Sequence, residues 1–104
     1  MKLLLTTCAQ EAVDELISSV LTRRLAACCN CIPGVKSTYW WNNELTTEQE
    51  CLLIFKTSAE SVDALLHCLQ TEHPYELPEL LVIEPSLINS AYENWVRSET
   101  LQGV

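Results

Sequence analysis

The amino-acid sequence predicts an α+β fold of the ferredoxin-like type, in which a βαββαβ chain forms a four-stranded antiparallel sheet with two helices on one face. Three observations predict it. Strand-like apolar runs alternate with helix-spaced apolar stripes in that order, two long extended segments flank Asn42-Asn43, and one more helical stripe follows the last strand. The chain has 104 residues, enough for one hydrophobic core, so we interpret residues 1–104 as a single domain.

The first strand and the first helix occupy the first quarter of the chain. Residues 1–8 are short, apolar and end in threonines, which indicates a strand. Residues 10–25 carry apolar side chains at helical spacing. Acidic residues begin this segment and Arg23 and Arg24 end it, an order that complements the helix dipole. We therefore predict a helix over residues 10–25.

The next segment predicts a long β-ribbon. Residues 27–41 and 45–57 both have the composition of extended strands. Asn42-Asn43 between them favours a hairpin tip, because asparagine tolerates a positive φ angle. Pro33-Gly34 interrupts the first of the two strands and indicates an edge position or a β-bulge.

The second half of the chain predicts a helix, a strand and a terminal helix. Thr-Ser-Ala-Glu at 57–60 has the pattern of a capping box, so a helix is expected from there to the region before Pro74. Residues 74–78 are a proline-bounded connector, and residues 79–84 are expected to form the fourth strand. Ser-Ala-Tyr-Glu at 90–93 has a second capping-box pattern and opens the extra C-terminal helix.

The predicted sheet has no polar face. Residues 3–5, 52–55 and 80–83 are continuously apolar, and successive side chains of a strand point to opposite faces. The two crossover helices cover one face only, which leaves an apolar patch that a soluble monomer rarely exposes. We therefore expect a homo-oligomer whose copies cover this face. The alternative is that the C-terminal helix folds across it.

Composition excludes several classes of function. The chain has 6 Lys and Arg against 14 Asp and Glu, a formal charge of −8, which disfavours nucleic acid and anionic membrane surfaces as partners. No apolar run is long enough for direct membrane insertion or for an export signal, so we expect a cytoplasmic protein with reduced thiols. A signalling or membrane protein remains open as a partner.

Cysteines form the most conspicuous cluster of chemically active side chains. Cys28, Cys29 and Cys31 carry soft sulfur ligands that suit Cu(I) or zinc. However, no second Cys-x-x-Cys pair or paired histidines complete a zinc site. The simpler interpretation is that these residues are small buried hydrophobic side chains.

His73 is the more interesting of the two histidines. It precedes a stiff connector of sequence Pro-Tyr-Glu-Leu-Pro-Glu, and rigid loops that hold polar groups are common places for sites. A structural role at the helix end is equally compatible. His67 lies beside the apolar stripe of its helix and is expected at the surface.

Lys56 and Glu50 share the helix-free face of their strand with Leu52 and Ile54, because all four have even spacing. They predict either an ion pair at a subunit interface or a lysine that binds an anion. The aromatic side chains near the ribbon tip are either interface anchors or walls of a pocket; they are Tyr39, Trp40 and Trp41. No nucleophile–base–acid pattern is readable, which weighs against an enzyme.

Several segments together resemble the CutA family of divalent-cation tolerance proteins. The matching stretches are Leu-Ala-Ala-Cys at 25–28, Ile-Pro-Gly at 32–34, Ser-Thr-Tyr-Trp-Trp at 37–41, Leu-Ile-Phe-Lys-Thr at 53–57, His-Pro-Tyr-Glu-Leu-Pro-Glu-Leu-Leu at 73–81 and Tyr-Glu-Asn-Trp at 92–95. The resemblance covers essentially the whole chain in the expected order, and its most specific motif begins at His73.

The resemblance implies a ferredoxin-like homotrimer, similar in architecture to the P-II signalling proteins, which bind effectors between subunits. It also implies a non-enzymatic role in the response to copper and other divalent metals, with copper or another divalent cation as the cofactor. The residues that it places in an inter-subunit cleft are Tyr39, Trp41, Glu50, Lys56, Tyr75, Glu76, Glu79 and Trp95, and the metal ligand that it carries over is His73.

The sequence also departs from the family pattern at the implied metal site. The loop before the first helix is shortened to Cys8-Ala9-Gln10 and lacks the usual Pro-Asp pair. Thr6 occupies the first-strand position at which metal-binding members can carry a cysteine, and Glu72-His73 replaces a double histidine. His73 is therefore the single ligand that matches.

Overall fold

The computed structural model describes residues 1–100 of the chain. Its elements are β1 (Lys2–Cys8), a 3₁₀ turn (Gln10–Ala12), α1 (Val13–Thr22), β2 (Cys28–Trp41), β3 (Glu44–Thr57), α2 (Val62–Glu72), β4 (Leu81–Ile83) and α3 (Ser90–Glu99). The strands form one antiparallel sheet in the order β2-β3-β1-β4. This arrangement confirms the predicted ferredoxin-like fold with a long ribbon and an extra C-terminal helix.

The hydrophobic core lies between the sheet and the helices α1 and α2. Leu4, Leu53 and Phe55 of the two central strands are fully buried on this covered face. The apolar stripes of the helices pack onto them, for example Val20 of α1 and Leu65 of α2. These helical stripes follow the spacing that the sequence predicted.

The opposite face of the sheet, which we call the open face, is apolar and only partly covered. Ile32 of β2 is 47% exposed, and Leu81 and Ile83 of β4 are 52% and 45% exposed. Strand register places these side chains on the face away from α1 and α2. α3 reaches one end of this face, where the Tyr92 hydroxyl lies 3.6 Å from Cys28 Sγ. One short helix therefore covers only part of the surface.

Helix α1 is shorter than predicted at both ends. It begins after a 3₁₀ turn, and it ends at Thr22 because Arg24 adopts the left-handed conformation, with φ of 59°. The Arg24 and Leu25 amides donate back to the carbonyls of Leu21 and Val20, at 3.0 and 3.2 Å. This pair of hydrogen bonds is the Schellman motif, with an arginine in the place that glycine usually takes.

The ribbon matches the sequence prediction closely. β2 and β3 each have 14 residues, and Asn42 and Asn43 form its tip with φ of 50° and 64°. The register shifts by one residue between Ile32 and Val35, so Pro33-Gly34 forms a bulge. Gly34 has a φ of 69°, a conformation that side chains with a Cβ rarely adopt.

Both predicted capping boxes are wrong. α2 begins at Val62 and α3 at Ser90, and neither N-cap side chain makes a capping hydrogen bond to the first turn of its helix. The Thr57 hydroxyl instead donates to the Leu25 carbonyl at 2.7 Å, and the Glu93 carboxylate accepts from the Met1 amino group at 3.3 Å. Tertiary contacts therefore engage the side chains that were expected to cap.

β4 is shorter than predicted, since it pairs with β1 only over Leu81–Ile83. The preceding residues belong to the connector, and Glu84 after the strand forms an ion pair with Lys2 at 2.8 Å. Within residues 1–100, no helix is long and apolar enough to cross a membrane.

Candidate functional site

A cavity of about 800 Å³ lies between the outer half of the ribbon and the connector that follows α2. We call it the ribbon cavity. Its size is that of a small-molecule site. The chemically distinctive residues that line it are Tyr39, Trp40, Trp41, Glu48 and Glu50 of the ribbon and Tyr75, Glu76 and Glu79 of the connector.

The strand register explains why the ribbon residues share this cavity. Glu50 pairs with Val35, Glu48 with Ser37, and Tyr39 with Thr46, so alternate side chains of both strands face the same side. The connector reaches the cavity because the chain turns extended at His73, where α2 ends. The two prolines that bound this connector then restrict its path.

A hydrogen bond joins the connector to the ribbon at the base of the cavity. The Tyr75 hydroxyl donates to Glu50 Oε2 at 2.7 Å, and Glu50 is only 8% exposed. Burial, followed by the hydrogen bond to Glu50, raises the pKa of Tyr75 well above its usual value. Tyr75 is thus a fixed hydrogen-bond donor at neutral pH that orients the Glu50 carboxylate.

A second tyrosine–glutamate pair lies nearer the ribbon tip. The Tyr39 hydroxyl donates to Glu48 across the two strands, and this hydrogen bond is the main cause that raises the Tyr39 pKa to about 12. Glu48 is exposed, whereas Glu50 of the first pair is buried. Neither tyrosine supplies a phenolate near pH 7, so the cavity offers oriented carboxylates and not a phenolate base.

His73 lies buried behind the cavity and links the connector to β1. Its Nδ1 accepts the Tyr75 amide at 3.1 Å, which leaves the proton on Nε2. Nε2 then donates to the Thr7 carbonyl at 2.8 Å, and the His73 and Tyr75 rings lie 4.7 Å apart. The imidazole is therefore a structural link in this arrangement, and metal ligation requires that one of its two hydrogen bonds breaks.

The ligand types near His73 fit a divalent transition metal, since imidazole and carboxylate both bind such ions. However, among residues 1–100 no three or more His, Cys, Asp or Glu side chains are arranged to hold one. The described part of one chain thus offers separate ligands without a preassembled centre. The assignment of His73 as a metal ligand stays a prediction.

The structure gathers six of the eight residues assigned to the cleft. Tyr39, Trp41, Glu50, Tyr75, Glu76 and Glu79 line the ribbon cavity. Lys56 lies six residues further along β3 than Glu50, about 20 Å away at strand spacing, and its ammonium group donates to Asn30 Oδ1. Trp95 borders a separate cavity of about 410 Å³ near Arg24 and Glu99. Their place in an inter-subunit cleft stays a prediction.

The sequence interpretation missed Glu48. Its signal was present, because Glu48 and Glu50 alternate with non-acidic residues along β3 and therefore share a face. With Glu76 and Glu79, the lining residues include four glutamates, and no lysine or arginine is among them. Four carboxylates beside aromatic walls make a negative potential that favours cations over anions.

The antiparallel sheet, its extended ribbon and the cavity beside it define a small α+β protein of the ferredoxin-like class. Among solved structures, this chain aligns with the divalent ion tolerance protein CutA1 of Ehrlichia chaffeensis with a TM-score of 0.92 and 31% identity, covering 96% and 94% of the two chains. It also aligns with a protein described as the PII-like protein CutA of Nostoc sp. PCC 7120, with a TM-score of 0.89, 34% identity and coverage of 97% and 98%.

Sequence comparison gives the family directly. Residues 2–99 match the model of the CutA1 divalent ion tolerance protein, and the chain belongs to this family. It is 40% identical over 95 residues to the divalent-cation tolerance protein CutA of Escherichia coli, covering 90% of this chain and 85% of that protein. It is 36% identical over 91 residues to the chloroplastic protein CutA 1 of rice, of which it spans only 51%.

Proposed function

We propose that this protein is a cytoplasmic, single-domain homotrimer that takes part in the response to divalent metal ions by binding a cation, without catalysing a reaction. The observation that carries the proposal is the charge of the ribbon cavity, where four glutamates meet without a neighbouring lysine or arginine in the lining. Membership of the divalent-cation tolerance family supports the same class of ligand.

The open face supports the homotrimer. Ile32, Leu81 and Ile83 each expose about half of their surface on one side of the sheet. Further copies of the chain are the simplest cover for such a patch, because soluble oligomers are mostly symmetric homo-oligomers. The related architecture of the P-II proteins favours three copies over two. In this arrangement the ribbon cavity opens toward a neighbouring subunit, which is able to complete its ligand set.

Copper is the cation that we propose. Imidazole and carboxylate ligands suit Cu(II), which also binds more strongly than the other divalent first-row metals to a given set of ligands. Glu76 and Glu79 are exposed carboxylates on the connector, and His73 precedes them by a few residues. His73 joins the site when its bond to the Thr7 carbonyl opens.

Calorimetric titration with Cu(II) tests this assignment. We expect wild-type protein to bind with micromolar or tighter affinity. His73→Ala should weaken binding by at least about tenfold, because the metal ion loses its imidazole ligand. His67→Ala is the matched control, since His67 is the other histidine of the chain and lies exposed on α2. It should bind as the wild type does.

A further variant separates ligation from structure. His73→Asn keeps hydrogen-bonding groups near Thr7 and Tyr75 but removes the imidazole. This variant should therefore fold normally, and its affinity for Cu(II) should be as weak as that of His73→Ala. Equal binding by wild type, His73→Ala and His73→Asn would remove His73 from the site. Absence of any Cu(II) binding by a folded trimer would reject the metal-binding proposal itself.

A second candidate function is a P-II-like signalling module that binds a small effector in the clefts between subunits. The size of the ribbon cavity and its aromatic walls favour this candidate. An anionic effector would need Lys56 from a neighbouring subunit, because the cavity's own lining is acidic. A thermal-shift screen of anions and metabolites tests it, since ligands of the native state raise its stability. A shift with Cu(II) alone would reject this candidate.

A further inference from the structure

Three thiols lie next to one another on the covered face, at the end of the sheet near the bulge. Cys8 of β1 and Cys51 of β3 are directly paired across the two strands. Cys31 of β2 pairs with Leu53, two residues from Cys51 and on the same face. The thiols of Cys31 and Cys51 are close enough to interact, as are those of Cys8 and Cys51.

Access to solvent differs sharply along this row. Cys31 is exposed on the edge strand, whereas Cys51 and Cys8 are 2% and 0% exposed. The bulge at Pro33-Gly34 lies opposite Cys51, so no large side chain of β2 stands between Cys51 and Cys31. The row thus runs from a thiol that a small solute can reach to two thiols that it cannot.

The geometry favours sulfur–sulfur chemistry over metal binding. No three His, Cys, Asp or Glu side chains in residues 1–100 are arranged around a metal position, although these three cysteines are neighbours. Directly opposed residues of antiparallel strands have Cα atoms about 4.5–5.5 Å apart, which lies inside the range of about 4.4–6.8 Å that a disulfide spans. Cys8 and Cys51 therefore meet the backbone requirement for a disulfide.

Of the other cysteines, Cys29 lies on the same face two residues from Cys31 and interacts with its thiol, whereas Cys28 and Cys68 have different partners. Cys28 faces the opposite side of β2 and contacts the Tyr92 hydroxyl, and the Cys29 thiol donates to the Asn30 carbonyl. Cys68 lies on α2 with the Arg23 guanidinium 3.2 Å from its sulfur. Cys28 is thus a suitable control for Cys31, because it belongs to the same strand.

We propose that Cys31, Cys51 and Cys8 form a thiol–disulfide relay, in which Cys31 captures a low-molecular-weight disulfide and the oxidation ends as a Cys8–Cys51 disulfide between β1 and β3. The Cys31 thiolate attacks the small disulfide, forms a mixed disulfide and releases one small thiol. Cys51 then attacks the Cys31 sulfur, forms a Cys31–Cys51 bond and releases the second small thiol. Finally, Cys8 attacks the Cys51 sulfur, which gives the Cys8–Cys51 bond and restores the Cys31 thiol.

The small disulfide is the oxidant in this sequence. It takes two electrons from Cys8 and Cys51 and leaves as two thiols, which carry the two protons. The final bond connects the two central strands of the sheet. It forms when small disulfides accumulate and is removed again by reducing thiols, so the proposal is compatible with a reduced resting state.

The electrostatic surroundings set the rate of this relay. Burial, then the neighbouring thiols and Glu50, raise the Cys8 pKa to about 11, and burial, Cys51 and Asp14 of α1 raise the Cys31 pKa. Tyr75 of the connector, which interacts weakly with Cys8, stays neutral because its own pKa is raised. Since the thiolate is the attacking species, oxidation should accelerate by up to about tenfold per pH unit between pH 7 and 9.

Oxidised glutathione is the probe for the test. The full-length protein is incubated with it, quenched with an alkylating reagent and digested without reduction, and the disulfide-linked peptides are measured by mass spectrometry. We expect the Cys8–Cys51 bond to accumulate in wild type. Cys31→Ser should slow it by at least about tenfold, because the reachable thiol is gone, and Cys28→Ser should leave its rate unchanged.

Substitution of either buried cysteine should stop the relay at an earlier step. Cys8→Ala should stop at a Cys31–Cys51 disulfide, and Cys51→Ala should stop at glutathione attached to Cys31. Circular dichroism establishes that each variant is folded. A Cys8–Cys51 bond that forms at the wild-type rate in Cys31→Ser would overturn the relay, and so would a wild type that forms no disulfide at Cys51.

Discussion

The two faces of the sheet carry the same kinds of apolar side chain but are buried to different extents. On the covered face, Leu4, Leu53 and Phe55 are fully buried under α1 and α2. On the open face, Ile32, Leu81 and Ile83 remain about half exposed. The chain satisfies one face by its own folding and leaves the other incomplete. This difference supports the proposed homo-oligomer, because further copies of the chain are the simplest cover for an apolar face that the fold leaves exposed.

Truncation of a core side chain on the covered face should destabilise the protein most. Phe55→Ala should lower the free energy of unfolding by about 3–5 kcal/mol, because it leaves a cavity beneath two helices. Urea unfolding at several protein concentrations measures it. Ile83→Ala on the open face is the matched control. It should lower the free energy of unfolding by less, and this decrease should diminish on dilution, because the contacts between copies are then lost in the wild type as well. A loss that does not vary with concentration for Ile83→Ala would contradict the distinction between the faces.

One corner of the open face is covered from within the chain. Glu50 is almost fully buried there because Tyr75 of the connector lies over it and donates a hydrogen bond to its carboxylate. Ile32, Leu81 and Ile83 on the same face have no comparable cover within residues 1–100 and stay about half exposed. The contact between Tyr75 and Glu50 also connects the ribbon cavity to the stability of the fold.

Removal of this contact should have a smaller effect than the loss of Phe55. Tyr75→Phe should cost about 1–2 kcal/mol, because the buried Glu50 oxygen loses a donor. Tyr39→Phe, whose partner Glu48 is exposed, should change stability by less than about 0.5 kcal/mol. Chemical denaturation of both variants beside wild type measures the difference, and equal losses in the two would disprove the structural role of Tyr75.

The same pair predicts a dependence on pH. The folded state raises the pKa of Tyr75 above its ordinary value of 10.0, so the native state holds this proton more tightly than the unfolded state does. The stabilisation is therefore complete below pH 10 and is lost progressively as the pH rises above it. Tyr75→Phe should flatten this alkaline decline in stability. An identical decline in wild type and variant would contradict the assignment.

Local features of the fold were predictable from the sequence because they depend on neighbouring residues. The hairpin tip at Asn42-Asn43 and the bulge at Pro33-Gly34 follow from the backbone preferences of those residues. The end of α1 was not predictable in this way, since Arg24 adopts a conformation that its residue type disfavours. There the hydrogen bonds of the Schellman motif outweigh the intrinsic preference.

The candidate site was harder to predict, because it is formed by contacts between residues that are distant in the sequence. The ring of His73 bonds to the Thr7 carbonyl, 66 positions away, which no local pattern indicates. Lys56 and Glu50 share a face of β3, which the sequence predicted. They are nevertheless six residues apart, so their side chains lie too far from each other to line one cavity. The acidic character of the cavity depends on the strand register, which places Glu48 and Glu50 opposite the connector.

The molar mass in solution shows whether copies of the chain cover the open face. Light scattering during size-exclusion chromatography should give about 35 kDa for wild type, three times the 11.7 kDa chain. Leu81→Asp should shift it toward 11.7 kDa, whereas Ala64→Asp, with the same charge on the exposed side of α2, should not. A folded wild-type particle of 11.7 kDa that persists at high concentration would mean that no further copy covers the open face.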